Sequence, residues 1–309
     1  MTIAAGLLYN GGVLMCADTM MSKPTISSFE SKIMGYKFDD GIALFAFAGD
    51  VQLAENAIQQ CEDVLKSAPK VPRTKAALAH SIRTVLKYEY EERILKYNLT
   101  GTAFDYSVIV AVCSKADGIS LYKTHLSALS RSRKGYEIIG TGDDLAEYVI
   151  RDNYIARGHD VRYVTALMTF ALAEIKAFMP SSVGGNMIIL RLSNEGEPDI
   201  VPEATVGIIS RHSRLINALM QTLPLSFING PTRDDFKASL ENFSSLALFQ
   251  WDQFAREAGS LVWAAPPRES WELLTELRPP RDRRSPKSPK GDQKYPPPSP
   301  ESPGGSSES

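Results

Sequence analysis

Short runs of apolar residues, separated by glycine-rich or charged turns, open the chain and predict β-strands. The first pair of runs, Thr2–Leu8 and Val13–Ala17, is joined by Asn10-Gly11-Gly12, residues that tolerate the positive φ of a tight hairpin. A second pair, Ser31–Gly35 and Ile42–Ala48, is separated by a charged turn. The first fifty residues are therefore predicted to form two antiparallel hairpins.

After Gly49 the apolar spacing changes from two residues to three or four, which indicates helices. Asp50 is a natural N-cap for the first of them. The pattern predicts helices over Val51–Leu65, Thr74–Ile94, Asp143–Ile155 and Arg162–Phe178, and strands over Tyr106–Val112, Ile119–Lys123, Tyr136–Ile139 and Asn186–Leu192. Strands grouped apart from paired helices favour an α+β architecture, in which two packed sheets carry helices on their outer faces.

The last third of the chain has a different character. Ile208–Leu223 and Asp235–Ala258 carry helical spacing, and the second of these segments is strongly aromatic. We expect that helix to fold onto the protein's own core, with an added docking element as the alternative. From Arg278 the chain is rich in Pro, Ser, Lys and Gly, which predicts a disordered tail. Three regions are therefore expected, over 2–204, 205–277 and 278–309.

Composition and charge argue against several classes of function. The 309 residues carry 34 Lys and Arg against 36 Asp and Glu, so a net charge of −2 gives no reason to expect nucleic acid or a membrane as partner. No apolar run reaches the roughly 18 residues that span a bilayer, and the pattern at the N-terminus does not predict a secretory leader. The three cysteines are expected to be buried thiols of a reducing compartment, which favours the cytoplasm. No cofactor or metal motif occurs.

Thr2 stands directly behind the initiator methionine. If Met1 is removed, this one residue carries both a nucleophilic hydroxyl and a free amine that can act as its base. An α-amino group has a pKa of about 7.7–8.0, so it is partly neutral near pH 7 and can accept the hydroxyl proton. If Met1 stays, the same nitrogen is an amide without basicity. We expect methionine removal alone, without a propeptide, to expose the threonine.

An ordered set of motifs accompanies Thr2. It comprises Asn10-Gly11-Gly12, Val13-Leu14-Met15-Cys16-Ala17-Asp18, Ser31-Lys32-Ile33 and Ala46-Phe47-Ala48-Gly49, and later Gly140-Thr141-Gly142 and Gly184-Gly185. This order and spacing resembles a proteasome β-subunit or its simpler bacterial threonine-peptidase relative, both of which are N-terminal nucleophile hydrolases. The resemblance covers Thr2 to Glu197. It implies a four-layer αββα sandwich over 2–204, with the C-terminal helices and the tail outside it.

The resemblance also implies a catalytic site formed by Thr2, Asp18, Lys32, Gly49 and Thr141. Lys32 would place a positive charge beside Thr2, favouring the alkoxide and lowering the pKa of the amine, and Asp18 would keep that lysine charged and oriented. The Gly49 N–H is the expected oxyanion donor. Thr141 replaces a serine of the family and keeps a hydroxyl close to the expected position of the amine.

Two positions depart from the pattern of the family. In proteasome β-subunits an Asp lies a few positions before the Gly-Gly and a Ser directly before it, and both help to position the threonine. Pro180 and Val183 occupy those positions here, so their side chains cannot supply the same hydrogen bonds. A non-catalytic ring or scaffold subunit is therefore the alternative function, and a small-molecule amidase is a third.

The leading hypothesis is a threonine-type peptidase in which Thr2 attacks an amide carbonyl and forms an ester that water hydrolyses. The resemblance implies a peptide or unfolded-protein substrate, a homo-oligomeric ring, and an ATPase or other regulator as partner; no cofactor is expected. An apolar substrate pocket is expected near the site, formed by Met21, Met34, Phe47 and Val51.

Overall fold

A computed structural model describes residues 3–22, 27–29, 31–66, 73–101, 104–151, 153–154, 160–215 and 233–258. Thr2 and the expected tail over 278–309 lie outside the described residues. The described part is a mixed α+β protein with two five-stranded antiparallel sheets, a two-stranded ribbon and six α-helices. The α+β class predicted from the sequence pattern is confirmed.

The strands pair antiparallel throughout the described part of the chain. They are β1 (Ile3–Tyr9), β2 (Gly12–Asp18), β3 (Met20–Ser22), β4 (Ser27–Phe29), β5 (Ile33–Phe38), β6 (Gly41–Gly49), β7 (Tyr106–Ser114), β8 (Gly118–His125), β9 (Ala128–Arg131), β10 (Tyr136–Gly140), β11 (Met187–Ser193) and β12 (Pro198–Ile200). One sheet has the order β10-β1-β2-β11-β12 and the other the order β5-β6-β7-β8-β9. The β3–β4 ribbon stands apart from both sheets.

Six helices lie in the described part, and three of them begin after a residue whose side chain caps the first turn. The six are α1 (Val51–Lys66), α2 (Lys75–Arg93), α3 (Asp143–Arg151), α4 (Val161–Phe178), α5 (203–215) and α6 (Arg233–Ala258). Asp50 caps α1, because its Oδ1 accepts the Leu53 N–H at 2.9 Å, and Thr74 caps α2 in the same way. The cap predicted at Asp50 is confirmed. Each helix in the described residues is too short or too polar to cross a membrane.

Three clusters of buried apolar side chains connect these elements. In the first, Phe45 of β6 packs against Ile58 of α1, so that helices α1 and α2 cover the β5–β9 sheet. In the second, Leu172 of α4 packs with residues of β1, β2 and β11. In the third, Met15 of β2 and Leu44 of β6 belong to one core that joins the two sheets. Each sheet therefore contributes residues both to a cluster shared with helices and to the cluster shared by the two sheets.

Several elements differ from those predicted. The ribbon β3–β4 and the short strands β9 and β12 were not expected from the apolar pattern, because each is only three or four residues long. Helix α5 begins at residue 203 rather than 208, and the Val206 N–H donates to the Pro202 carbonyl at 3.1 Å in its first turn. Helix α3 ends at Arg151, four residues before the predicted end.

Helix α6 contacts the rest of the protein mainly near its C-terminal end. The ring of Phe254 packs edge-on against His212 of α5, with ring centroids 5.3 Å apart, and Glu257 pairs with Arg211 at 3.2 Å. Leu246, however, is 42% exposed. Within the described residues, the ring contact and the ion pair of this helix with α5 lie in its C-terminal turns.

Candidate active site

Asp18, the last residue of β2, is almost completely buried, with 2% of its surface exposed. Its Oδ1 accepts the Ile3 N–H at 3.0 Å and the Lys32 ammonium at 2.8 Å. Its Oδ2 accepts the Gly184 N–H at 3.1 Å. Three separate segments therefore donate to one carboxylate, which satisfies the requirement that a buried charge be paired and hydrogen-bonded.

Lys32 precedes β5 and is 1% exposed. Its carbonyl accepts the Phe47 N–H at 3.2 Å, which ties the segment to β6, and its ammonium donates to the Met20 carbonyl as well as to Asp18. Burial lowers the pKa of Lys32 below its ordinary value of 10.5, and the negative charge of Asp18 partly opposes that shift. The structure thus brings together Asp18 and Lys32, as the sequence motifs predicted.

The pair lies at the beginning of β1. Ile3, whose N–H binds Asp18, is the first residue of that strand and pairs with Gly140 of β10. Thr141 follows Gly140 directly and its side chain is exposed. Thr2 itself, the predicted nucleophile, lies outside the described residues. Asp18 is therefore bonded to Ile3, the residue that follows Thr2 in the chain, and Thr141 follows the strand partner of Ile3.

Gly49, the predicted oxyanion donor, ends β6 with a φ of +102°, a conformation that side chains rarely adopt. A Cβ at this position would collide with the Asp105 carbonyl oxygen. The carboxylate of Asp50, which follows, is engaged in the helix cap, as expected. Neither Gly49 nor Thr141 forms a hydrogen bond with Asp18 or Lys32 within the described residues.

The loop before β11 contributes contacts that the sequence pattern did not indicate. The Met20 N–H donates to the Gly184 carbonyl at 3.2 Å, and Thr19 and Asn186 exchange two hydrogen bonds. Gly184 belongs to the Gly-Gly motif, and its N–H donates directly to Asp18. Val183, at the position where the proteasome pattern has a serine, is 1% exposed and lies in the apolar core.

The expected apolar pocket does not form as predicted. Met34 and Phe47 are 4% and 1% exposed and belong to the core beneath α1 and α2, and Val51 packs against the same core. The side chain of Met21 lies outside what the structure describes. Alternate residues of a strand face opposite sides of a sheet, and these residues of β5 and β6 face the helices.

A cavity of about 430 Å³ adjoins the Asp18 network instead. It is lined by Met20, Ala173, Lys176, Ala177, Pro180, Val183, Gly184, Gly185, Met187, Ser210 and Arg214. Met20 and Gly184 belong both to this lining and to the hydrogen bonds around Asp18 and Lys32. Among the described residues, no group of three or more His, Cys, Asp or Glu side chains could hold a metal ion.

Comparison with solved structures gives the fold a precedent. A Gly-1 mutant of Anbu from Hyphomicrobium sp. strain MC1 matches with a TM-score of 0.57 at 13% identity, over 74% of this chain and 97% of that one. The chain shares the fold of Anbu. Anbu, an ancestral beta-subunit, from Yersinia bercovieri matches with a TM-score of 0.57 at 12% identity, over 68% of this chain and 92% of its own length. Anbu from Pseudomonas aeruginosa, solved as a helical assembly, matches with a TM-score of 0.56 at 13% identity, over 72% and 96%.

These matches correct the family named from the sequence motifs. No family model matches the sequence, and no curated protein matches it. The assignment to the proteasome β-subunits or to the bacterial threonine peptidases is wrong, because the neighbours are Anbu proteins. At 12–13% identity, the likeness to Anbu shows the fold alone.

Proposed function

We propose that this chain is a threonine-type amide hydrolase that cleaves peptide bonds through Thr2, exposed by removal of Met1. The observation that carries the proposal is the buried Asp18–Lys32 pair, held by the N–H of Ile3, the residue that follows Thr2. A lysine ammonium so thoroughly removed from water is costly to the fold. Because Lys32 is bonded to Asp18 at the start of β1, we infer that this costly charge is retained for catalysis.

In the proposed mechanism the free amine of Thr2 accepts the hydroxyl proton while the oxygen attacks the carbonyl carbon. Lys32 donates to Asp18 and to the Met20 carbonyl. The proposal assigns its third ammonium proton to the Thr2 hydroxyl, where it would stabilise the alkoxide. The Gly49 N–H stabilises the oxyanion, and Thr141 supports the amine. When the intermediate collapses, its C–N bond breaks and the Thr2 ammonium gives its proton to the departing amine, which leaves an ester. Water then hydrolyses the ester, with the Thr2 amine again serving as the base.

We further propose that the two sheets and their helices form the four-layer αββα sandwich of N-terminal nucleophile hydrolases, over 2–204. The three apolar clusters support this arrangement, because each joins two adjacent layers. Residues 205–277 then form an appended helical region. The Pseudomonas aeruginosa Anbu complex forms a helical assembly. By analogy we propose that this chain also forms a homo-oligomer that acts on peptides or unfolded proteins.

A non-catalytic scaffold subunit is the second candidate. One observation favours it: Val183 is buried in the apolar core and Pro180 lines the neighbouring cavity, so neither offers a hydrogen bond to an N-terminal threonine. In the catalytic proposal these side chains are not needed, because a backbone group, the Gly184 N–H, helps to hold Asp18 in the site. The two candidates differ in whether Thr2 reacts.

The first experiment is an intact-mass measurement of the purified protein with and without an epoxyketone, which requires both the hydroxyl and the free amine of a terminal threonine. We expect loss of Met1 and one adduct. Thr2→Ala, which still permits methionine removal, should lose the adduct, and Thr2→Ser should keep it. Retained Met1, or an adduct that persists in Thr2→Ala, would overturn the proposal and leave the scaffold candidate.

A further inference from the structure

Strand β9 forms one edge of its five-stranded sheet, since it pairs with β8 and with no other strand of the described chain. The Ser132 N–H donates to the Leu121 carbonyl at 2.9 Å. Because alternate residues of an antiparallel strand bond to opposite sides, Leu129 and Arg131 direct their N–H and C=O groups away from β8. None of these four groups has a hydrogen-bond partner among the described residues. An edge of this kind is a template for a further strand.

Three arginines surround this edge. An open groove of about 970 Å³ is lined by Arg83, Ala128, Leu129, Ser130, Arg131, Ser132 and Arg133, without a single carboxylate. The three arginine side chains are exposed, and within the described residues none of them forms an ion pair. Arg73 and Arg93, by contrast, are both paired with carboxylates. In a chain whose net charge is −2, this groove is a local concentration of positive charge.

The geometry of the strand also determines which positions of a bound peptide would face the arginines. Leu129 is 3% exposed and packs into the cluster beneath α2, so Arg131, two residues later, lies on the same face of the strand. Arg83 approaches that face from α2. A strand added to β9 would present every second side chain to this face. Carboxylates at alternate positions would therefore meet guanidinium groups, which bind them through paired hydrogen bonds.

We propose that the edge of β9 binds an extended peptide with acidic side chains at alternate positions, which adds a strand to the sheet and pairs with Arg83, Arg131 and Arg133. Backbone hydrogen bonds supply the docking and the arginines supply the selectivity. This surface does not belong to the proposed catalytic site, because Lys32 precedes β5, at the opposite edge of the same sheet. The proposal therefore stands whether or not Thr2 is a nucleophile.

The test is fluorescence anisotropy with the full chain and a labelled, acetylated octapeptide of alternating Thr and Glu. Binding should be lost with the Thr-Lys peptide, and should weaken at least about tenfold in Arg131→Glu/Arg133→Glu, because like charges then face each other. Arg256→Glu on α6, a residue that does not line the groove, makes the same charge change per substituted arginine and should bind normally. Arg83→Ala, a surface change on a helix, provides an independent variant if the double variant does not fold.

Two further probes separate strand addition from charge attraction alone. Only every second N–H of an added strand faces β9, so peptides N-methylated at all Glu or at all Thr residues should differ, with one bound and the other not. Equal binding of both would overturn the proposal. So would unchanged affinity in the arginine variants, or sedimentation showing that the edge is covered by a second copy of the chain. The proposal would also be overturned if inorganic phosphate displaced the two N-methylated peptides equally, because the groove would then be a simple anion site.

Discussion

Two buried aspartate–cation pairs in this protein have different designs. Asp40 and Arg73 are joined through the arginine Nε at 2.9 Å, its Nη2 at 3.0 Å and its backbone N–H at 2.7 Å, and the same Nη2 reaches the Leu65 carbonyl. Asp18 and Lys32 share one short contact, and the other partners of Asp18 are the backbone N–H groups of Ile3 and Gly184.

The two cations have different chemical properties, which indicate different roles. A guanidinium is rigid and always charged, so Arg73 holds the segment before α2 against the β5–β6 turn and has a structural role. A lysine ammonium is a compact charge whose pKa responds to burial. Lys32 is the more deeply buried of the two cations, at 1% against 12% side-chain exposure, and lies beside the start of β1. The Asp18–Lys32 pair is therefore the one suited to chemistry.

The sharpest way to break this comparison is to remove each cation in turn. If the proposed function holds, Lys32→Met should slow epoxyketone adduct formation and peptide hydrolysis by at least about a thousandfold, because the alkoxide loses its positive charge. Arg73→Met should keep the rate within about fivefold, since its pair lies outside the site. Intact-mass time courses measure both, with circular dichroism as the check on folding. Equal losses in the two variants would contradict separate roles.

Removing each carboxylate shows how much each pair contributes to the free energy of unfolding. Asp18→Asn should lower the free energy of unfolding by about 3–5 kcal/mol, because Lys32 is left charged and buried without its counterion. Asp40→Asn should cost about 1–3 kcal/mol, since Arg73 is partly exposed and keeps the Leu65 carbonyl as acceptor. Urea denaturation of the two variants and the parent protein gives the values. A larger loss for Asp40→Asn would reverse the comparison.

The pairs should also differ in pH dependence. Burial lowers the pKa of Lys32, so the unfolded chain binds this proton more tightly, and stability from this residue rises with pH from its folded pKa up to 10.5. Arg73 lowers the pKa of Asp40, so that contribution is complete above 3.8 and is lost as pH falls through the folded pKa.

Stability differences between the parent protein and single variants isolate each residue from other titrating groups. The free energy of unfolding of the parent minus that of Lys32→Met should rise with pH in the alkaline range. The advantage of the parent over Asp40→Asn should shrink only in the acid range. Urea melts across pH measure both differences. If the stability difference between the parent and Lys32→Met did not change with pH in the alkaline range, burial would not lower the pKa of Lys32.

The smallest effect is expected at a third carboxylate, Asp50, which forms no ion pair within the described residues. Asp50→Ala should lower the free energy of unfolding by about 1 kcal/mol through loss of the α1 cap, whereas Asp50→Ser should be nearly neutral. Thermal melts of the two variants measure the effect. If Asp50→Ala instead changed the rate of adduct formation as much as Lys32→Met does, the carboxylate would act on the site and not as a cap.

Features with short-range causes were predictable from the sequence. The β1–β2 hairpin follows from two apolar runs around Asn10 and Gly11, and Gly11 has the positive φ that the turn needs. The start of α1 follows from Asp50, whose side chain caps a helix three residues away. Strand β9 was missed because its four residues, of which only Leu129 is a buried apolar side chain, carry no recognisable period.

The face of the sheet on which a side chain lies could not be predicted from the sequence. Met34 and Phe47 lie in the expected strands, yet they face α1 and α2 and not a substrate pocket. A shift of one residue in register would exchange the two faces, and sequence periodicity in a fully buried strand does not distinguish them. The cavity beside Asp18 is lined instead from β3, α4, α5 and the loop before β11, segments that are far apart in the chain.

The amino-acid sequence by itself determined the local elements and the residue types available to the site: Thr2 behind Met1, Asp18 at a strand end, Lys32 before the next hairpin. These depend on neighbouring residues and on spacing. Only the tertiary structure decided that the Asp18 carboxylate also accepts the N–H groups of Ile3 and Gly184, the latter 166 positions away, and that burial lowers the pKa of Lys32. Desolvation and long-range hydrogen bonds arise when sheets and helices pack together, and no local pattern in the chain encodes them.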